Sequence, residues 1–189
     1  MKYILPLILL FTHTFCQAYD SMHEKTPVGE IKVLELPERI ALQSSFEGSY
    51  FEDNNGLFRK LFRFISANDL SMTTPVEGDI NPGKMRFFVG QSDRNKEFQS
   101  SKEVEVRKMK PRLVVAIGIR GGYSSERFFK HLDQLENWIR ENDHYEKNGN
   151  AYGVYWNGPF IPGPFKRSEV HLPIQLKDKK SDPPTTKKQ

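Results

Sequence analysis

Beyond the first eighteen residues the chain carries four histidines, His23, His131, His144 and His171. Imidazole is the commonest metal ligand and a general acid or base near neutral pH, so their spacing decides what they can do. None has a second ligand at metal-binding distance along the chain. There is no His-Glu-x-x-His pattern and no paired-carboxylate signature. His23 lies near a flexible start, His131 in mid-helix, His144 in the polar loop Glu141 to Tyr145, and His171 on the polar face of a strand. Cys16 is the single cysteine. No Gly-x-Ser-x-Gly elbow is present, and Gly121-Gly122 reads as a strand end rather than a phosphate loop. No catalytic residue is assigned, and an enzyme is not expected.

What remains is an apolar surface. After Asp53-Asn54-Asn55, which can cap a helix, Leu57, Phe58, Leu61, Phe62, Phe64 and Ile65 form a wide apolar face. Leu57, Leu61 and Phe64 share one edge at i, i+4 and i+7, while Phe58, Phe62 and Ile65 share the adjoining edge. If the second edge meets a sheet, the first is left to grip a flat apolar ligand. Burying ~100–200 Å² there would contribute roughly 3–5 kcal/mol. Lys60 and Arg63 would reach carboxylates at the rim. The ligand-binding candidates are therefore Leu57, Leu61, Phe64, Lys60 and Arg63, the alternative being that the whole face is core.

The elements that must position this helix come twice. Val33 to Tyr50 can be laid over Val106 to Tyr123 at a constant offset of 73 residues, with Val33/Val106, Arg39/Arg112, Gly48/Gly121 and Tyr50/Tyr123 identical. Each copy reads as a short strand, a Pro-containing turn, a longer strand and Gly-x-Tyr leading to a helix, which points to an internal duplication. In the second copy Ser124 or Ser125 can cap a helix whose Phe128, Leu132, Leu135 and Ile139 recur at helical spacing. Two β-like segments follow each helix: Leu70 to Val76 and Met85 to Val89, then Ala151 to Trp156 and Ser168 to Ile174. Between the last two, Pro-rich residues fix a loop carrying Phe160 and Phe165. The order ββαββ, twice, predicts an α+β fold: an eight-stranded distorted antiparallel β-barrel flanked by two helices.

Ser71-Met72-Thr73-Thr74-Pro75-Val76 resembles the Met-Thr-x-Pro-Val motif of the SOUL haem-binding protein family. Trp156-x-x-Pro159-Phe160, running on through Pro164-Phe165-Lys166-Arg167-Ser168-Glu169-Val170, is similar to that family's Pro-rich loop followed by Arg-Arg-Asn-Glu-Val. The resemblance covers about Ile31 to Ile174. It implies the duplicated barrel and reversible binding of haem or another tetrapyrrole through apolar contacts near the first helix, at Leu57 and Leu61 with Phe64 beside them. Haem thus enters as a ligand rather than a reagent. The basic side chain that some members offer before Arg-Arg-Asn-Glu is replaced here by Ile161-Pro162-Gly163, and the axial His of a minority of members has no evident counterpart.

The chain has 189 residues, 37% of them hydrophobic and 12% aromatic, enough for one domain with a real core. Residues 1–18 read as a secretory signal: Lys2, an apolar stretch from Tyr3 to Phe15, and Cys16-Gln17-Ala18 suited to cleavage after Ala18. A secreted or periplasmic protein is expected. An uncleaved anchor, or lipidation at Cys16, are the alternatives. Residues 19–30 form an N-terminal segment, 31–176 the domain, and 177–189 a basic disordered tail. The formal net charge is +4, and Lys177–Gln189 hold five Lys against two Asp, so the charge surplus belongs mostly to the tail. The folded body shows no footprint for nucleic acid, no stable membrane insertion of the mature chain is expected, and a monomer is.

Two other classes compete with a carrier of haem or a related planar apolar molecule. One is a small-molecule receptor or hydrolase of the bacterial effector-binding-domain type, using a cleft between the repeats and a buried carboxylate. Glu169 is its candidate, although strand alternation sends that side chain toward solvent. The other is an interaction protein that docks a partner through the aromatic loop Phe160 to Phe165.

Overall fold

The computed structural model describes residues 20–158 and 160–177. The expected signal segment 1–18 and all but the first residue of the basic tail lie outside them. In chain order the elements are β1 (Asp20–Ser21), β2 (Ile31–Leu36), β3 (Arg39–Phe46), α1 (Asn54–Ala67), β4 (Thr73–Thr74), β5 (Val76–Asp79) and β6 (Gly83–Phe88), then β7 (Glu105–Met109), β8 (Arg112–Arg120), α2 (Ser125–Arg140), β9 (Tyr145–Lys147), β10 (Tyr152–Tyr155) and β11 (Arg167–Leu176). Both helix starts are set by side-chain caps. Asp53 accepts from the Gly56 N–H, and Ser124 accepts from the Arg127 N–H. The segment expected as one strand from Leu70 to Val76 is split into β4 and β5 at Pro75, which has no N–H to give a ladder.

Eight strands form one antiparallel sheet in the order β2-β8-β11-β10-β5-β6-β3-β7, with β9 added beside β11. That order is a palindrome of the duplication, each position in one half mirrored by its counterpart in the other. The first strand of each repeat crosses over: β2 pairs with β8, and β7 pairs with β3. The sheet curls into a half-barrel, open between β2 and β7 rather than closed. No helix among the described residues is long and apolar enough to cross a membrane.

Both helices lie on one face of the sheet. α1 packs Leu57, Leu61, Phe64 and Ile65 onto Leu42, Met85 and Phe87, and α2 packs Phe128 and Leu135 onto Val115, Ile117, Val170 and Leu172. The repeat tyrosines meet on this face: Tyr50 stacks on Tyr155 at 5.4 Å, and Tyr123 leans on the same ring at 4.7 Å. The opposite face carries Leu36, Val114, Tyr152, Val154 and Trp156, together with buried polar groups. It is crossed by the segment from Asp20 to Glu30. That strap pairs with β4 at one end and bridges Val28 to Gly118 at the other. A Cβ on Gly118 would come within 2.2 Å of the Pro27 carbonyl oxygen, so only glycine lets the strap lie this close.

Candidate functional site

On α1 the structure reverses the expected edges. Leu57 and Leu61 are 0% exposed and Phe64 8%, so these three form the docking edge and offer no surface. Ile65 is buried with them, giving an i, i+4, i+7, i+8 stripe that follows the helical period. The Ser44 hydroxyl donates to the Leu57 carbonyl at 3.0 Å and fixes the helix over β3. Phe58 instead lies at the margin, against Phe87, and Phe62 stacks on it from outside with 51% exposure. Lys60 is half-buried, and Arg63 is exposed and paired with Glu103 at 3.0 Å. Of the five candidates, only the two basic residues stay accessible.

Two clusters of buried polar groups sit on the face away from the helices. Arg39 and Arg112, the matched arginines of the duplication, hold the two oxygens of one carboxylate: Arg39 donates to Glu77 Oε1 at 2.8 Å and Arg112 to Oε2 at 2.9 Å. Arg86 approaches the same carboxylate at 3.8 Å, donates to Gln43, and is clamped by Asp79. Burial would raise the Glu77 carboxyl, but the attraction of Arg39, Arg112 and Arg86 outweighs it and holds the group at about 2. Three guanidinium groups face two carboxylates here, leaving surplus positive charge.

The second cluster surrounds Glu169, which is 1% exposed rather than turned to solvent as the alternation of β11 implied. It accepts from the Thr26 N–H at 3.0 Å, the Thr26 hydroxyl at 2.7 Å and Trp156 Nε1 at 2.6 Å. His171 Nε2 lies at 2.9 Å; with the proton assigned there, His171 donates to Glu169 while its Nδ1 accepts from the Tyr152 hydroxyl at 3.2 Å. Burial would raise this carboxyl too, but the bonds from His171 and Thr26 bring it below the usual value. His23 is not at a loose end but packs against Trp156 and His171, and burial followed by repulsion from His171 lowers its pKa. Glu169 is thus saturated by its own chain. It braces the strap and leaves no oxygen idle for a general base.

Open space lies elsewhere, where the two repeats meet. A groove of about 990 Å³ runs between the β5–β6 hairpin, the β7–β8 turn, α2 and the ends of β10 and β11. Its apolar walls include Ile80, Leu113, Phe128, Phe129 and Leu132, with Phe129 half exposed. Lys84, Arg86 and Arg112 line the other side, with Arg112 lying over the Tyr152 ring at 4.4 Å. Among the described residues no His, Cys or Met lines the groove, and no cluster of metal-ligating side chains occurs. A groove of this size and lining suits a flat apolar molecule with carboxylates at one edge. Helical periodicity marks the α2 wall; the groove itself depends on how the halves meet, which no local pattern records.

Residues 15–173 match the sequence profile described as SOUL heme-binding protein. The chain belongs to the SOUL heme-binding protein family. No curated protein matches this SOUL chain. Among solved structures, the EcmrR C-terminal domain superposes with a TM-score of 0.59 at 16% identity, covering 77% of the SOUL chain and 97% of that domain. EcmrR in its complex with DNA gives 0.62 at 15% identity, and there the SOUL chain spans 77% of itself but only 57% of the EcmrR chain. A hydrolase from Listeria innocua gives 0.54 at 11% identity over 79% of this chain and 94% of that one. At such identities these likenesses establish the shared half-barrel fold alone.

Proposed function

We propose that this SOUL protein is an exported, non-catalytic carrier that reversibly binds haem or another tetrapyrrole in the groove between its repeats. The observation that carries the reading is the groove's pairing of an aromatic wall, Phe128 and Phe129, with a positively charged one, Lys84 and Arg112. A tetrapyrrole with carboxylate side arms offers an apolar face to the first and a carboxylate edge to the second. The family supports a haem or tetrapyrrole ligand, and the apolar stretch before Ala18 supports export. Because the groove's described lining holds no imidazole, thiolate or thioether, affinity on this reading comes from stacking, apolar burial and carboxylate pairing rather than from a protein bond to the metal.

That distinction gives the test. Iron-free protoporphyrin IX, followed by its fluorescence, is expected to bind within about tenfold of hemin, at about micromolar concentration. Failure of both to bind at that concentration would refute the carrier reading, and binding of hemin alone would refute the metal-independent groove.

A second reading places the ligand on the outer surface of α1, favoured by the Phe58–Phe62 stack, whose outer ring, Phe62, is exposed. The receptor or hydrolase reading built on Glu169 is weakened by that residue's four donors.

A further inference from the structure

Among the described residues the most exposed large apolar side chain, Phe160, shares one short loop between β10 and β11 with two others. Phe160 is 96% exposed, Phe165 66%, and Ile161 lies between them at 39%. The loop's described residues are tied down. Its base is closed by the Arg167 N–H donating to Asn157 Oδ1 at 2.7 Å and the Trp156 N–H donating to the Arg167 carbonyl at 3.1 Å. The Tyr123 hydroxyl ties both ends, accepting from the Asn157 N–H at 3.1 Å and reaching the Arg167 carbonyl at 3.0 Å. Within the loop, the Ile161, Phe165 and Lys166 N–H groups turn inward to the carbonyls of Gly158, Pro162 and Gly163. Pro162 and Pro164 have no N–H to offer. The tip therefore presents large apolar groups with its backbone donors largely satisfied, a combination that tolerates a hydrocarbon boundary and gains little from water.

The charges around the base are mostly positive. From Asn157 to Arg167 there is no Asp or Glu. Lys166 lies over the Tyr123 ring, its carbonyl accepts from the Gly121 N–H, and that junction adjoins Arg120, whose carbonyl accepts from Arg127. Arg120 and Arg127 are exposed, and Glu126 in the first turn of α2 is the nearby acidic residue on that helix. An apolar tip flanked by Lys166, Arg120 and Arg127 is complementary to one kind of partner, a lipid surface with anionic headgroups, where cations reach phosphates and aromatic rings sit at the acyl boundary.

We propose that the Phe160–Phe165 loop docks the folded protein peripherally on anionic lipid bilayers, with Lys166, Arg120 and Arg127 at headgroup level. This seat is separate from the groove and needs no spanning segment. The test is co-sedimentation of the signal-free chain with phosphatidylcholine vesicles, with and without about 30 mol% phosphatidylglycerol. Binding to the anionic vesicles only, weakened by high salt, is expected. The double variant Phe160→Asp, Phe165→Asp should reduce the bound fraction about tenfold or more while keeping the thermal midpoint and the porphyrin titration of the parent. Phe62→Asp, which alters an exposed phenylalanine on α1, should bind vesicles as the parent does. Lys166→Glu with Arg127→Glu should weaken binding without touching the tip. Absence of parent binding, equal binding to neutral vesicles, or full binding by the double variant would each overturn the proposal.

Discussion

Thr26 donates twice to the carboxylate of Glu169, its N–H to Oε1 at 3.0 Å and its hydroxyl to Oε2 at 2.7 Å, across 143 residues of chain. Through this contact the strap from Asp20 to Glu30 is fastened onto the sheet face that the helices leave uncovered. Trp156 and His171 complete the ring around the carboxylate, and Arg167 donates to the Thr26 carbonyl at 2.9 Å.

Replacing Thr26 with Val keeps the shape and removes the hydroxyl donor. A hydrogen bond to a buried charge contributes about 1.5–3 kcal/mol, so Thr26→Val should lose that much in urea unfolding and become easier to cleave proteolytically within residues 20–30. A variant as stable and as protected as the parent would show that the strap is held by other contacts.

Glu77 balances arginines from both repeats. Glu77→Gln leaves Arg39, Arg86 and Arg112 with one counter-charge fewer and is expected to cost about 3–5 kcal/mol. The pH dependence has a definite sign. The folded group sits at about 2 against an ordinary value of 4.5, so its contribution is complete above about 4.5 and is lost as pH falls toward 2. The stability gap between parent and variant should be flat from neutral pH down to the unfolded value and close below it. Urea midpoints across that range measure it; a gap that widens on acidification would contradict the assignment.

The placement of these two carboxylates also marks how far the sequence could be read. The offset joining Arg39 to Arg112 and Tyr50 to Tyr123 announced the duplication, and the palindromic sheet carries it out. Alternation in β11 separates Val170, Leu172 and Ile174, which pack under α2, from Glu169 and His171 on the far face, and it read that far face as solvent. That the far face is covered depends on a strap more than a hundred residues away, and a period of two cannot show it. Gly118 was the available signal, since a glycine inside a strand of Val, Ile and Ala suggests close approach of another backbone. On α1 two adjoining apolar edges competed for one sheet. Periodicity shows that both exist, but the packing of Leu57 and Leu61 onto Leu42 and Phe87 decides between them.

That decision is testable by truncation. Leu61→Ala opens a cavity in a fully buried site and should cost about 2–5 kcal/mol. Phe62→Ala, at a half-exposed position one residue on, should cost less than about 1 kcal/mol. Comparable losses at both sites, measured by urea unfolding, would mean that the edges are misassigned.

His23 contributes a milder acid sensitivity. Burial and the neighbouring His171 lower its pKa below the ordinary 6.5 in the folded chain, so the neutral form is the one the strap accommodates. Its stabilisation is complete above that ordinary value and declines as pH falls below it, levelling off beneath the folded pKa. Acidification from neutrality should therefore lower the amide protection factors across residues 20–30, and His23→Gln should flatten the response. An unchanged response in the variant would remove His23 from the strap's acid sensitivity.

The groove is tested most directly by titrating hemin into the parent, a Phe129→Asp, Lys84→Glu double variant and a Phe62→Asp variant, following the Soret band. One hemin per chain, an affinity loss of about tenfold or more in the groove variant and parent-like binding by Phe62→Asp are expected. Parent-like binding by the groove variant, with loss in Phe62→Asp, would contradict the groove and return the ligand to the surface of α1.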